Sequence, residues 1–449
     1  MDPPPQRQQL SHDVQRDCHV ARAERTLRRF GEIFLIVTSY HVRFPHKLTQ
    51  HFRFNGAVVP MNPSESLYLD NAATSWPKPD CVYDAVDQYA RENGRAVGRG
   101  ATDASLQLQK IVERCRHRAA GLLGAASKNE IVFTFNCTDS LNTILHGTLR
   151  EGDHVVTSVA EHNSVLRPLR QLERTRGVSV TTVDVDQVGR IEPAEIRAAL
   201  RPETKLVIVQ HVSNVTGIIQ PVADIGTVAR DAGVLFAVDA AQSAGHLPFQ
   251  LGDFQPDFLA CAGHKGLLGP LGTGLLWIAP GREIELEPLR QGGTGSRSEL
   301  DVQPDVMPDR FESGNHNAPG LVGLDAALGF LSERGIPSIR DHELALAGAL
   351  CGQLAELEGL TVHSDSNRDQ HTGVVSFTSD IYSSDELAAL LSQHFGIDTR
   401  AGLHCAPGMH RRLGTLDRQG TVRVSFGWTS TQADVDRLVD ALRQVSQPA

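Results

Sequence analysis

Between residues 130 and 279 the chain sets out seven short β-rich runs, "EIVFTF", "HVVTSV", "VSVTTVDV", "KLVIVQHV", "VLFAVDA", "DFLACAG" and "GTGLLWIA". Helical stretches such as "SLNTILHGTLR" and "VADIGTVARDAG" lie between several of them. Apolar strands alternating with helices predict an α/β fold with a mostly parallel sheet covered on both faces. Ahead of them, "DASLQLQKIVERCRHRAAGLLG" at 103–124 repeats apolar residues at intervals of three and four and ends on glycine, the pattern of an amphipathic helix.

After "PDRFESGNHNAPG" (308–320) the rhythm changes to long helical patterns, then fewer strands, "GVVSFTS" and "TVRVSFG", and a final helix-like "TQADVDRLVDALRQV". This predicts a large domain over 66–310 and a smaller α+β domain over 311–449. Residues 1–65 are set apart as an extension, either a disordered arm or upstream sequence, since Met61 is an equally plausible start.

The 40% hydrophobic and 21% charged content fits a soluble globular protein, and 449 residues exceed one ordinary domain. Residues 1–60 carry nine basic against five acidic residues, which leaves 34 against 48 for the remainder. So acidic a body argues against a nucleic-acid partner. The longest apolar run near the amino end, "IFLIV", is far too short to span a bilayer, so no membrane partner is expected. Seven scattered cysteines without a CxxC pair argue against a structural metal or a disulfide framework, and a cytoplasmic location follows.

In parallel sheets, ligands bind beyond the carboxyl ends of strands, and here those ends are polar. They deliver Glu161, His162 and Asn163; Ser213 and Asn214; Asp239 and Gln242; and His264 and Lys265. Lys265, after an apolar strand and before a glycine, is placed where desolvation lowers an amine's pKa, and such an amine can form a Schiff base with an aldehyde cofactor. A surface lysine in a turn is the plain alternative. Pyridoxal phosphate needs a carboxylate at its pyridine nitrogen, a role open to Asp239, which is equally placed to cap the next helix. His162 has a ring to stack on such a cofactor, and Asn214 and Gln242 can bond its ring hydroxyl; each also suits an ordinary loop. "FNCTDSLN" opens a helix at Cys137 and Thr138, a start that can take a phosphate or simply be capped. No glycine-rich nucleotide motif sits between strand and helix, and the His404–Cys405 pair lacks further ligands at metal spacing.

Eight motifs in fixed order, "YLDNAATSWPKP", "EHNS", "HVSNVTG", "VDAAQSAGH", "AGHKGLLGPLGTG", "GGTGS", "RFESGNHN" and "RAGLHCAP", resemble the pyridoxal-phosphate-dependent cysteine desulfurases of the class V aminotransferase fold, from about residue 66 to 445. The resemblance implies a fold-type I homodimer, with the segment near residue 66 contributing to the smaller domain. It implies Lys265 as the Schiff-base lysine, Asp239 as the pyridinium partner, His162 on the ring, and Asn214 and Gln242 at the phenolic oxygen. Thr138, Cys137 and His264 would lie at the phosphate, with Thr294 reaching in from the second subunit. Arg400, helped by Arg423, would clamp the substrate carboxylate, and Asn71 and Arg99 would line the substrate side. Cys405 falls where the family keeps its nucleophile, which takes sulfur from L-cysteine as a persulfide and leaves alanine. Only 18 residues separate it from Arg423, as in the short-loop branch, whose members often depend on a sulfur-acceptor protein. Selenocysteine lyase, cysteine sulfinate lyase and aminotransferase activities share Lys265 and Asp239 and stand as alternatives; a non-catalytic cofactor-binding regulator would need a DNA-binding module in front. Ala262 in place of a serine, Cys137 in place of a threonine, Asn315 in place of a threonine, and Gly98 in place of a histidine depart from the family pattern.

Overall fold

The computed structural model describes residues 66–98, 102–364 and 367–446; the extension 1–65 and Arg99 lie outside them. The chain enters on a two-residue strand, β1 (Leu67–Tyr68). Each of the seven β-rich runs then contains one strand: β2 (Ile131–Thr134), β3 (His154–Ser158), β4 (Ser179–Val183), β5 (Thr204–Gln210), β6 (Leu235–Asp239), β7 (Phe258–Ala262) and β8 (Gly274–Ile278). They form one sheet in the order β2-β8-β7-β6-β5-β3-β4.

Every neighbouring pair is parallel except the two that involve β8, which runs against both β2 and β7. Hence β2 points the same way as β7, and the carboxyl ends of β2, β3, β5, β6 and β7 share one edge of the sheet. Side chains alternate across the sheet. Val207 and Val209 of β5 enter one apolar cluster, and Leu206 and Ile208 enter another. Both faces are therefore dry, as a parallel sheet requires.

Helix α1 (Asp103–Leu123) starts where the Thr102 hydroxyl accepts the Ser105 N–H and stops at Gly124, whose φ of 75° is the left-handed conformation glycine tolerates best. Its buried Leu108, Val112, Cys115 and Ala119 fall on one stripe. Helices α2 (Cys137–Thr148) and α3 (Asn163–Arg176) begin directly beyond β2 and β3. Helix α4 (Ala318–Arg334) packs against α1 in the first cluster.

From α5 (Ile336–Ala355) onward a separate apolar core forms with α7 (Gln432–Ser446) and a four-stranded antiparallel sheet. That sheet runs β12 (Arg400–Gly402), β13 (Thr421–Ser425), β10 (Val374–Ser379), β9 (Leu360–Val362), while β11 (Ile397–Asp398) pairs with β1. The two strands expected here from sequence are β10 and β13. Strands β9, β11 and β12, at two or three residues each, are too short to carry a period. Helix α6 (Pro407–Arg412) follows β12. No helix among the described residues is long and apolar enough to cross a membrane.

Candidate active site

The shared strand edge opens onto a cleft lined by Asn136, Cys137, Thr138, His162, Ser164, Gln210, Asn214, Asp239, Gln242, Ala262, His264 and Lys265. Eight of the sequence candidates thus meet in one place because five strands end there.

Lys265 follows β7, and the loop that carries it is pinned from the chain's entry segment. The His264 carbonyl accepts hydrogen bonds from the Ser75 N–H at 3.0 Å, the Thr74 hydroxyl at 3.1 Å and Lys78 Nζ at 3.0 Å. Burial pushes the Lys265 amine below its ordinary pKa; Asp239, Cys137 and Cys405 act against that shift and Arg423 adds to it. The Lys78 amine is likewise lowered by burial, to about 8.

Asp239 ends β6. Its Oδ1 accepts the Ala241 N–H at 2.9 Å and the Cys137 thiol at 3.3 Å. Burial, with Asp239 beside it, holds the Cys137 thiol well above its usual pKa, so this cysteine is a neutral hydrogen-bond donor and no nucleophile.

His162 caps α3: its Nδ1 accepts the Ser164 N–H at 3.0 Å, which leaves the ring proton on Nε2. Burial and the neighbouring Lys265 charge lower its pKa to about 4, so the ring is neutral. The Ser164 hydroxyl lies 2.8 Å from His162 Nδ1 and 2.7 Å from the Thr138 hydroxyl. At the start of α2, Asn136 caps the Asp139 N–H at 2.9 Å. The first amides of that helix, at Cys137 and Thr138, have no partner in the helix and face the end where the dipole is positive. Ala262 lines the cleft without a hydroxyl.

Gln242 donates from Nε2 to the Ala72 carbonyl at 2.9 Å. Asn214 donates from Nδ2 to the His404 carbonyl at 2.6 Å. Asn214 Oδ1 and His264 Nδ1 are buried with no hydrogen-bond partner among the described residues. Buried polar atoms ordinarily find one.

Cys405 is exposed and sits between β12 and α6. Its loop is tied to the large sheet: the Cys405 carbonyl accepts the Asn163 N–H at 2.7 Å, Ala406 and Met409 enter the first cluster, and Gly408 lies so close to Val159 that a β-carbon would collide with that carbonyl. His404 and Cys405 both adopt positive φ, 47° and 57°, which non-glycine residues seldom hold. The His404 ring is buried, with neither nitrogen bonded, and stands edge-on to His410 at 5.4 Å.

The two arginines differ. Arg423 is buried and spoken for, with Asp70 at 2.6 Å and the Asn214 carbonyl at 2.9 Å. The Arg400 side chain is half exposed and 3.9 Å from Asp70. Asn71 lies outside the cleft and holds backbone, accepting the Trp76 N–H at 3.1 Å and donating to the Ser425 carbonyl at 3.1 Å. Thr294 is also outside, its hydroxyl bonded to Ser296. Of the other strand-end residues, Glu161 turns inward to the Ser158 hydroxyl and the Gln210 N–H, and Ser213 to the Val215 N–H. Burial raises the Glu161 carboxyl to about 8. Ser164, Asn136, Gln210 and Asp70 were not singled out from sequence, although Ser164 ends the "EHNS" motif and its hydroxyl beside a capping histidine was the signal available.

The aminotransferase class-V family model matches residues 67–438. A probable cysteine desulfurase of Methanothermobacter thermautotrophicus is 35% identical over 85% of this chain and 95% of its own length. The cysteine desulfurase of Haloferax volcanii is 33% identical over 84% and 88%. Among solved structures, an apo cysteine desulfurase from Thermococcus onnurineus matches with a TM-score of 0.79 at 34% identity, over 85% of this chain and 95% of that one. A cysteine desulfurase from Escherichia coli, in an S-sulfonic acid form, matches with a TM-score of 0.77 at 28% identity, over 86% and 98%. With the mostly parallel sheet and the cleft at its strand ends, these likenesses establish that the chain has the type I fold of pyridoxal-phosphate enzymes and belongs to the class V aminotransferase family, within its cysteine desulfurases.

Proposed function

We propose that this protein is a cysteine desulfurase that converts L-cysteine to alanine and carries the released sulfur as a persulfide on Cys405. The observation that bears most weight is an exposed thiol held by a short, doubly anchored loop within electrostatic reach of a desolvated Lys265.

The cleft suits pyridoxal phosphate. Asn214 Oδ1 and His264 Nδ1 are buried atoms in want of partners, Asp239 offers a carboxylate and Lys265 an amine, and the α2 amino end offers free amides beside the Thr138 and Ser164 hydroxyls. In this reading Lys265 holds the aldehyde, Asp239 the ring nitrogen, Asn214 and Gln242 the ring oxygen, His162 the ring face, and Thr138, Cys137, Ser164 and His264 the phosphate. Bound there, pyridoxal phosphate supplies an electron sink that loosens the substrate's α-proton and its carbon–sulfur bond.

The chain's own groups do the rest. Arg400, exposed and only loosely paired, takes the substrate carboxylate, while Arg423, already neutralised by Asp70, orients that arm. Lys265, its pKa lowered by burial, accepts the α-proton as a free amine. The Cys405 thiolate attacks the substrate sulfur; the new S–S bond forms as the C–S bond breaks, a proton is delivered to the former β-carbon, and the α-proton held by Lys265 returns to the α-carbon to complete alanine. The reading also carries a homodimer, in which Thr294 serves the second copy's site, a sulfur-acceptor protein, and a division of the chain into a large domain over 66–310 and a smaller one over 311–449. Incubation with L-cysteine should yield alanine and reducible sulfur on the protein in equal amounts. The Cys405→Ala variant should yield neither, yet still release selenium from selenocysteine; sulfide release from cysteine at the wild-type rate by that variant would refute the assignment.

A further inference from the structure

His246 closes the "VDAAQSAGH" segment and has no part in the reaction above. Its Nδ1 lies 2.9 Å from Glu343 Oε2, with side-chain exposures of 12% and 4%. The partners come from different halves of the fold, His246 from the loop beyond β6 and Glu343 from α5, which buries Leu346, Ala347 and Leu350 in the second core. Burial pushes the imidazole's pKa down, but the charge and hydrogen bond of Glu343 outweigh it and hold the ring above its ordinary value; Lys265 is the other charged group acting on it.

Each partner lies against a glycine that leaves no space for a side chain. A β-carbon on Gly266, the residue after Lys265, would sit 2.5 Å from His246 Cδ2. One on Gly373 would sit 2.8 Å from the Glu343 β-carbon. The Gly373 carbonyl in turn accepts the Phe426 N–H at 3.1 Å, just past β13, the strand that carries Arg423. Gly245, at a φ of 90°, packs its α-carbon on the Gly266 backbone. A small cavity beside the pair is lined by Gln242, His246, Glu343, Thr372 and Ser425, so the pair borders the cleft through Gln242. A continuous line of packed atoms thus runs from Lys265 through His246 and Glu343 to the sheet that holds both arginines.

We propose that the His246–Glu343 ion pair is a positioning strut that sets the spacing between Lys265 and the strand pair that carries the carboxylate-binding Arg400, so that one amino acid spans both. This rests on the amino-acid-binding cleft described above, though not on the desulfurase chemistry itself. Removing one partner strands the other as a buried charge, which must draw in water or move α5 away. A misplacement of about 1 Å between reacting groups is enough to cost about a hundredfold in rate.

The experiment compares Glu343→Gln, His246→Gln and the double variant in the pyridoxal-phosphate-loaded protein. The first readout is the dissociation constant of L-alanine, followed through the cofactor's visible absorbance, because alanine must reach the arginine and Lys265 together and requires no desulfuration. The second is kcat and KM for L-cysteine. Each single variant should weaken alanine binding about tenfold and lower kcat more than it raises KM, with the double variant no worse than the poorer single. Independent, multiplying effects, or singles that bind alanine as the wild type does, would overturn the strut. Wild-type protein that binds alanine but yields none from cysteine would overturn the desulfurase reading and leave the strut to be judged on alanine alone. Should the glutamine variants not fold, Glu343→Asp keeps the charge and shortens the arm by one methylene; it should show the same loss in smaller measure, and wild-type alanine binding in a folded Glu343→Asp protein would refute the proposal.

Discussion

The strand edge and the thiol arm hold their functional groups by opposite means. At the edge, Asp239, His162, Gln242 and Lys265 follow strands buried on both faces, and most of them are hydrogen-bonded to backbone. In the arm, Cys405 is exposed on a three-residue strand's far side, with two consecutive residues at positive φ. Regular structure places the first set and desolvates it, which is what tunes the Lys265 amine. The arm gives up regular structure to keep a thiol accessible, and is held in place by two backbone contacts to the large sheet and a buried His404. A group that must be poised belongs to the first kind of site and a group that must reach belongs to the second.

The sharpest way to break this division is at its two ends. Lys265→Ala should lower alanine production by about 10³-fold or more, since the proton acceptor is lost, while leaving the thiol's reactivity toward iodoacetamide unchanged. Cys405→Ala should remove all persulfide yet leave the absorbance of bound pyridoxal phosphate as it is in the wild type. If either change spread to the other region, the separation would be wrong.

The arginines come next. Arg423→Ala should destabilise the fold by about 3–5 kcal/mol in urea unfolding, because Asp70, 13% exposed, loses the buried partner 2.6 Å away and keeps only Arg400 at 3.9 Å. Arg400→Ala should leave the urea midpoint in place and raise KM for cysteine by the value of one charge-assisted hydrogen bond, about 1.5–3 kcal/mol. The exposures of the two side chains, 4% and 51%, are the reason for the contrast.

A smaller effect is expected at His404→Val. A β-branched residue at a φ of 47° should cost about 1–3 kcal/mol and loosen the loop. Cysteine turnover should fall while pyridoxal phosphate binding holds, a split that equal losses in both would contradict.

A pH dependence is shared by both regions. His162, His211, His264 and His410 are lowered from 6.5 to about 4 by burial. Their folded pKa values lie below the unfolded value, so their contribution to stability is complete above pH 6.5 and is lost as pH falls through 4. His246 has the opposite sign, contributing fully below pH 6.5 and less as pH rises through its elevated folded value. Urea midpoints measured from pH 7 to pH 4 should decline, by at most about 1.4 kcal/mol per pH unit per histidine.

Much of the large sheet was legible along the chain. Seven β-rich runs contain seven strands; six of these are buried on both faces and so have no solvent-facing side to interrupt the pattern, while β4, at the edge of the sheet, is partly exposed. The polar residues ending those strands were legible for the same reason, as the first groups free of the core. Legibility failed where a residue's task depends on a partner far off in sequence. Asn71 carries no local sign that it braces Ser425, 354 positions away. Glu161 ends a strand like His162 but points into the protein. Asp70 carries no local sign that it neutralises Arg423.

Periodicity and strand-end chemistry thus reside in the local sequence, since burial of alternate faces and the break from apolar to polar are properties of neighbouring residues. Which strand ends meet, which arginine is only loosely paired, and how an exposed cysteine comes within electrostatic reach of a desolvated lysine were settled by tertiary packing. Those relations arise from long-range contacts, such as Cys405 to Asn163 and His246 to Glu343, and only the folded chain brings their atoms within a hydrogen bond's length.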